Sequence, residues 1–446
     1  LSPRGGQYPV AVIGLAVALV RQAGLSFRGT AAALAVVAAA GPTALDTDRT
    51  PCPTTVRSWV VRLGYAHLTR PLAHDHSWAW LIDHTLQIGH QKLFAIFGIP
   101  LDQVPFGVRP LPLADVHLLA LVPMATTNRA QVATALADAV ARTGPPRQIV
   151  SDGATEWRAG IQDFRVRYPD TVGVADVTHV AANLLKHYWE GDPQWAAFTR
   201  QMAATAAAIR QTRSAHLMAP TLRARGRYLS VAAFVRFGPF VLRKLQAAEP
   251  DADVVAHYGW VAGYAAALPV WADQHALAQA TVRVVRVEGF GARTPALVAE
   301  AWEPLATRDH PTTERLRNRL RAYVGRETRA AHPGERLVGS TEIVESAFGV
   351  LKRLSGDQSA SGLTGLSVGL GAMIGTTTRS RSRATSSGFP RRSFRRGRNR
   401  CSGRRSSGYG GSSSGPTRPR EKPYQIRDEP ETTASLTSDQ PTISLK

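Results

Sequence analysis

Residues 78 to 99 read WAWLIDHTLQIGHQKLFAIFGI. The run divides at Gly89 into two apolar segments, 78–89 and 92–99, each of strand length and rich in aromatic and branched residues. A turn at Gly89 would make them antiparallel neighbours. One residue breaks the pattern. Asp83 sits in the middle of the first segment, where a carboxylate is costly to bury unless something pairs with it.

The segments that follow extend the pattern. DVHLLALVPM (115–124) is a third strand, and its nearly continuous apolar run predicts burial on both faces. RAQVATALADAVARTG (129–144) reads as a helix stopped at Gly144, and RQIVSD (147–152) as a short strand ending in an acid. A helix over 155–167, a strand TVGVAD (171–176) and a helix from about His179 complete the series. Three antiparallel-compatible strands, then helix, strand, helix, strand and helix, is the order of the RNase H-like α/β fold, a mixed sheet.

Residues 9–40 look helical, broken near Gly24 and at Gly41-Pro42. In PCPTTVRSWVVRLGY (51–65), Thr54 is the expected N-cap and Gly64 the expected stop. Arg57, Ser58 and Arg62 take one side while Val56, Val60 and Leu63 pack. Small helices ending in a basic, capped helix suit a helix-turn-helix, an ordinary amphipathic helix being the plainer reading. Residues 195–335 read as a mainly α-helical insertion, with one strand signal at TVRVVRV (281–287) and basic clusters at 221–228 and 314–326. The Arg/Ser/Gly-rich tail has too few apolar residues to offset its ordering entropy and is expected to be disordered. The expected organisation is a helical, helix-turn-helix-like region at 1–72 and a first part of the core at 73–194. The insertion at 195–335, the last core helices at 336–376 and the tail at 377–446 follow.

The 446 residues hold 54 Lys and Arg against 33 Asp and Glu, a net of +21. From Arg379 onward 16 are basic and 5 acidic, so the rest of the chain still carries +10 and favours a polyanionic partner such as nucleic acid. Two cysteines, Cys52 and Cys401, exclude a disulfide framework or a Cys-based zinc site and suit a reducing cytoplasm. The apolar run Val10 to Val20 is too short to span a bilayer, and no membrane segment is expected.

Two acids therefore occupy informative places, Asp83 within the first strand and Asp152 at the end of the fourth. In the RNase H-like order these strands are neighbours, and two carboxylates brought together call for a shared divalent cation. A third comes from STEIVESAFGVLKR (340–353), where Glu345 and Lys352 lie two helical turns apart on one face while Val344, Phe348 and Leu351 pack. Glu342, nearly one turn earlier, is the rival third acid, but the residue seven further on from it is Gly349. His74, His76, His84 and His90 raise zinc as an alternative, which is disfavoured because His84 and Asp83 point to opposite faces of a strand.

Asp83 in LIDHTLQIG, Asp152 in IVSDG and Glu345 with Lys352 in ESAFGVLK together resemble the DDE superfamily of insertion-sequence transposases. In ADVTHVAANLLKHYW (175–189), Asp176 and His179 resemble the C/DxxH motif of members with helical insertions; the plainer reading is an N-cap Asp176 beside a satisfied His179. One large bacterial branch carries Tyr and Arg upstream of its Glu, where this chain has Val338 and Thr341, so the chain does not fall into that branch. The resemblance covers residues 75–195 and 335–375.

The resemblance implies DNA strand cleavage and strand transfer at the ends of a mobile element. Asp83, Asp152 and Glu345 would be catalytic and hold two Mg2+ ions, with Mn2+ the alternative, and Lys352 would meet the phosphate backbone. Arg57 and Arg62 would help recognise terminal inverted repeats. It further implies a homo-oligomer on double-stranded DNA, including target DNA, in the cytoplasm at the nucleoid. The rivals are a non-catalytic DNA-binding protein descended from a transposase, and a nuclease or integrase on the same fold.

Overall fold

The computed structural model describes residues 7–41, 49–88, 91–222, 227–305, 307–356 and 367–374. All lie in a compact unit, Leu1–Pro390; a second unit, Arg391–Lys446, and the tail expectation for 377–446 fall outside the described residues.

The chain opens with helices α1 (Val10–Arg21), α2 (Phe27–Ala39) and α3 (Pro53–Thr69). A β-hairpin and third strand follow as β1 (Trp78–Ile88), β2 (Gln91–Pro100) and β3 (His117–Met124). The turn expected at Gly89 falls at residues 89–90, outside the described ones. Then come α4 (Arg129–Thr143), β4 (Gln148–Ser151), α5 (Thr155–Arg167), β5 (Val172–Ala175) and α6 (Val177–Glu190). A helical stretch contains α7 (Pro193–Ile209), α8 (Ala232–Leu245), α9 (Ala252–Tyr258), α10 (Ala267–Glu288), α11 (Thr294–Trp302) and α12 (Pro311–Thr328). The chain then returns to the sheet with α13 (Glu342–Gly356) and the short α14 (Leu370–Met373).

The sheet runs β3-β2-β1-β4-β5, with β1, β2 and β3 antiparallel and β4 and β5 parallel to β1. This is the RNase H-like mixed sheet. Side chains alternate between its faces. Trp78, Trp80, Ile82 and Ile149 pack under α4 and α5 with Trp157 and Phe164, while Ala79, Leu81, Val150 and Val174 face α6 and α13. Each large side chain fully buried in this way contributes roughly 1.5–3 kcal/mol. At the edge, β3 buries Leu118 and Leu119 on opposite faces, but residues 120–122 are half-covered and Pro123 is exposed. Burial on both faces therefore holds only at the start of β3, and proline is tolerated where no strand pairs outside it.

Two further expectations are corrected. Gly64 does not end α3, which runs on to Thr69 from an N-cap at Cys52, with Pro53 in its first turn. A side chain at Gly64 would collide with the carbonyl of Val368, so glycine here permits close packing of α3 on the segment leading into α14. The TVRVVRV stretch is not a strand but the end of α10, where Leu277, Ala278, Thr281, Val282 and Val285 supply a buried helical stripe.

Candidate functional site

The site is built on the face of the sheet covered by α6 and α13. The pairs Ala79–Gln148, Trp80–Ile149 and Leu81–Val150 set β1 and β4 in parallel register. Asp83 and Asp152 each follow the last of these pairs by two residues, so the register brings them to one level. Asp83 accepts a 2.6 Å hydrogen bond from the backbone N–H of His84. Burial first, then the charge of Asp152, pushes its carboxyl up to about 7, against relief from His179 and the His84 N–H. Asp152 leaves the strand through Gly153, whose φ of +81° favours glycine, and accepts from the N–H of Ala154 at 2.9 Å. His84 turns to the opposite face, against the ring of Trp157 at 4.2 Å and the hydroxyl of Thr127.

Asp176 is both an N-cap and half of a side-chain pair. Fully buried, it caps α6 through the N–H of His179 at 2.7 Å and accepts from that ring's Nδ1–H at 3.1 Å. It also accepts from the N–H and hydroxyl of Thr341, just ahead of α13. Burial opposes its charge, but the His179 bond and charge, with the two backbone N–H groups, outweigh it and hold the carboxyl below its ordinary value. Burial likewise works against a charged His179. The bond to Asp176 and the charges of Asp176, Asp152 and Asp83 prevail and raise it to about 9. Its Nε2 lies 4.0 Å from Glu345, whose side chain is half exposed.

Four anchors place α13. Phe290 and Leu337 exchange backbone bonds of 2.7 and 2.9 Å, and Gln148 of β4 pairs with the backbone of Val338. Val177 N–H donates to Gly339 at 2.9 Å, and Asp176 holds Thr341. Glu342 pairs with Arg286 of α10 at 2.6 Å. Tyr323 of α12 donates to the carbonyl of Ala175 at 2.7 Å, steadying the end of β5. Sequence reasoning missed Arg286 and Thr341. The threonine ahead of an acidic first turn was the available signal; Arg286 offered none.

His179 thus stands between Asp176 at 3.1 Å and Glu345 at 4.0 Å, and the charges of Asp152, His179 and Glu345 bear on Asp83. Lys352 is exposed on α13, two turns beyond Glu345. Arg57 and Arg62 lie on α3, half-buried and exposed respectively, beyond the buried Val56 and Val60. The donor chemistry of Asp83, Asp152 and Glu345, carboxylate oxygens in a mutually repelling field, suits a hard divalent cation. The spacing does not yet make a complete centre: among the described residues no three His, Cys, Asp or Glu groups stand close enough to hold an ion.

No protein-family model matches the sequence, and no curated protein matches it. Among solved structures, the chain is similar to the Drosophila P element transposase strand transfer complex at 10% identity and a TM-score of 0.37. The match covers 80% of this chain and 94% of that one. A likeness at this level defines neither family nor activity. Among the described residues no helix is long and apolar enough to cross a membrane.

Proposed function

We propose that this chain is a DDE-type transposase that cleaves DNA at the ends of a mobile element and joins it to target DNA. The observation supporting the reading is that the β1–β4 register carries Asp83 and Asp152, far apart in sequence, to one end of a mixed sheet, with Glu345 4.0 Å from the neighbouring His179. In this reading Asp83 and Asp152 would hold Mg2+, with Glu345 as the third carboxylate. When bound, such ions would activate the attacking oxygen and stabilise the leaving one in phosphoryl transfer.

The chain's own residues do the rest. Asp176 holds His179 in place and charged, and His179 keeps Glu345 near the two aspartates. Lys352 meets the phosphate backbone, and Arg57 and Arg62 contact terminal repeats. The protein acts on double-stranded DNA as a homo-oligomer. The test is Mg2+-dependent nicking and strand transfer on a duplex bearing the inverted repeats that flank the gene. Asp83→Asn, Asp152→Asn and Glu345→Gln are each expected to abolish both reactions while duplex binding persists. Wild-type activity in any one of them overturns the site.

A second reading, a DNA-binding protein without catalysis, is favoured by the lack of a complete three-ligand group among the described residues. It predicts duplex binding with no metal-dependent nicking, so the same assay separates the two.

A further inference from the structure

Residues 193–248 contain no Asp or Glu, yet nine Lys or Arg; at the chain's own average about four acids would fall in a stretch of that length. The described cations of this stretch are exposed. On α8, Arg236, Phe240, Arg243 and Lys244 recur at the spacing of one helical face. All four are exposed, with Phe240 at 46%, while Phe234, Val235, Gly238 and Val241 are buried opposite. The Lys244 ammonium lies 5.8 Å from the centre of the Phe240 ring.

Helix α10 packs so closely against α8 that a side chain at Gly238 would collide with Leu268. It carries His275 and, two turns on, the exposed Arg283. The Nε2 of His275 is buried with no hydrogen-bond partner, and the charges acting on it, Arg236 and Arg283, are both cations. Neither arginine has a hydrogen-bond or ion-pair partner among the described residues. One exposed aromatic among cations is too little apolar surface for a bilayer interface. A row of like charges over about 12 Å of helix instead matches a polyphosphate, which presents one charge per ~1.7 Å of duplex.

We propose that this acid-free face, formed by Arg236, Phe240, Arg243 and Lys244 of α8 with Arg283 of α10 beside it, is a duplex-DNA contact that grips the sugar-phosphate backbone. It rests on the DNA reading above but not on the carboxylates. Backbone contacts of this kind position a duplex without reading its sequence.

The experiment measures duplex affinity of the full chain by fluorescence anisotropy across a salt series. The triple variant Arg236→Ala/Arg243→Ala/Lys244→Ala is compared with a charge-matched control, Arg158→Ala/Arg167→Ala/Arg329→Ala, after thermal melts show that both fold. The first is expected to weaken binding at least ~10-fold and flatten the slope of log K against log salt by about 2–3, and the control to change affinity less than ~3-fold. Equal losses in the two variants, or none in the first, overturn the proposal while leaving the DNA reading standing. Tighter binding of duplex or single-stranded RNA than of duplex DNA also overturns it. If the wild-type chain binds no duplex, the DNA reading and this face fall together.

Discussion

Asp83 in β1 and Asp152 just past the end of the parallel β4 each stand two residues beyond the paired Leu81 and Val150, and the charge of Asp152 bears on Asp83. The pair is therefore destabilising while both are ionised and no cation is near. Asp83's folded pKa, about 7, lies above its ordinary 3.8, so the stability contributed by its protonated form is fully present below pH ~4 and lost as pH rises through about 7. Asp83→Asn never ionises. In chelator it is expected to be more stable than wild type at pH 8, by on the order of 2–4 kcal/mol, with the difference vanishing near pH 4. Urea unfolding across that range measures it. A constant difference would mean that Asp83 does not titrate as its surroundings imply.

The same repulsion should make divalent cations stabilising. An ion that binds only the folded state at about ten times its Kd adds roughly 1.4 kcal/mol. Mg2+ at pH 8 is expected to raise the melting temperature of the wild type and not of Asp83→Asn or Asp152→Asn. This readout needs no activity and no DNA. An equal rise in all three proteins would locate the ion elsewhere.

Gly64 offers a packing test. A methyl group there meets the carbonyl of Val368, which is backbone and cannot swing aside. Gly64→Ala should destabilise the protein by about 1–3 kcal/mol, read as a lower urea midpoint with an unchanged slope. A change within ~0.5 kcal/mol would show that α3 and the segment before α14 can separate freely.

That glycine also shows how far the sequence could be read. A glycine after a basic, apolar run has two physical explanations, a helix stop or a close approach. Only the partner at Val368, some three hundred positions away, decides between them. The sheet was legible because its strands are short apolar runs bounded by turn residues, and Asp83 and Asp152 stood out as acids within or ending such runs. TVRVVRV misled because alternating valine and arginine imitate a strand. The helical stripe emerges only when Leu277 and Ala278 are included. Asp176 and His179 were visible as a spaced pair, whereas Thr341 on the far side of Asp176 depends on tertiary return of the chain.

Asp176 should be more sensitive than an ordinary cap. Asp176→Ala removes the partner of His179 and of both Thr341 donors at once, and a loss on the order of 3 kcal/mol is expected. Asp176→Asn keeps acceptor geometry but not charge, so His179 should fall from about 9 towards its ordinary 6.5. Because His179 is raised in the folded state, its contribution to stability is present below pH ~6.5 and lost through about 9; Asp176→Asn should flatten that dependence. NMR titration of the His179 ring and unfolding at pH 6 and 9 test both halves. A ring titrating at the same pH in the variant would show that Asp176 does not set its charge.

The Arg286–Glu342 pair ties the helical stretch to the helix bearing Glu345. Glu342 has its carboxyl raised by burial and by Glu345 and Asp176, with Arg286 opposing. Without Arg286 that repulsion has no counterweight, and α13 can turn or loosen at its first turn. Both side chains are partly exposed, at 31% and 40%, so direct coupling should be modest, about 0.5–1 kcal/mol in a double-mutant cycle. The larger effect is expected on cleavage, since a small rotation of α13 carries Glu345 with it. Arg286→Glu and Glu342→Arg should each reduce cleavage more than they reduce stability, and the swapped double variant should recover most of both. If the double variant is no better than the worse single one, the pair does not set the pose of α13, and Glu345 must be held by the four anchors at Leu337, Val338, Gly339 and Thr341.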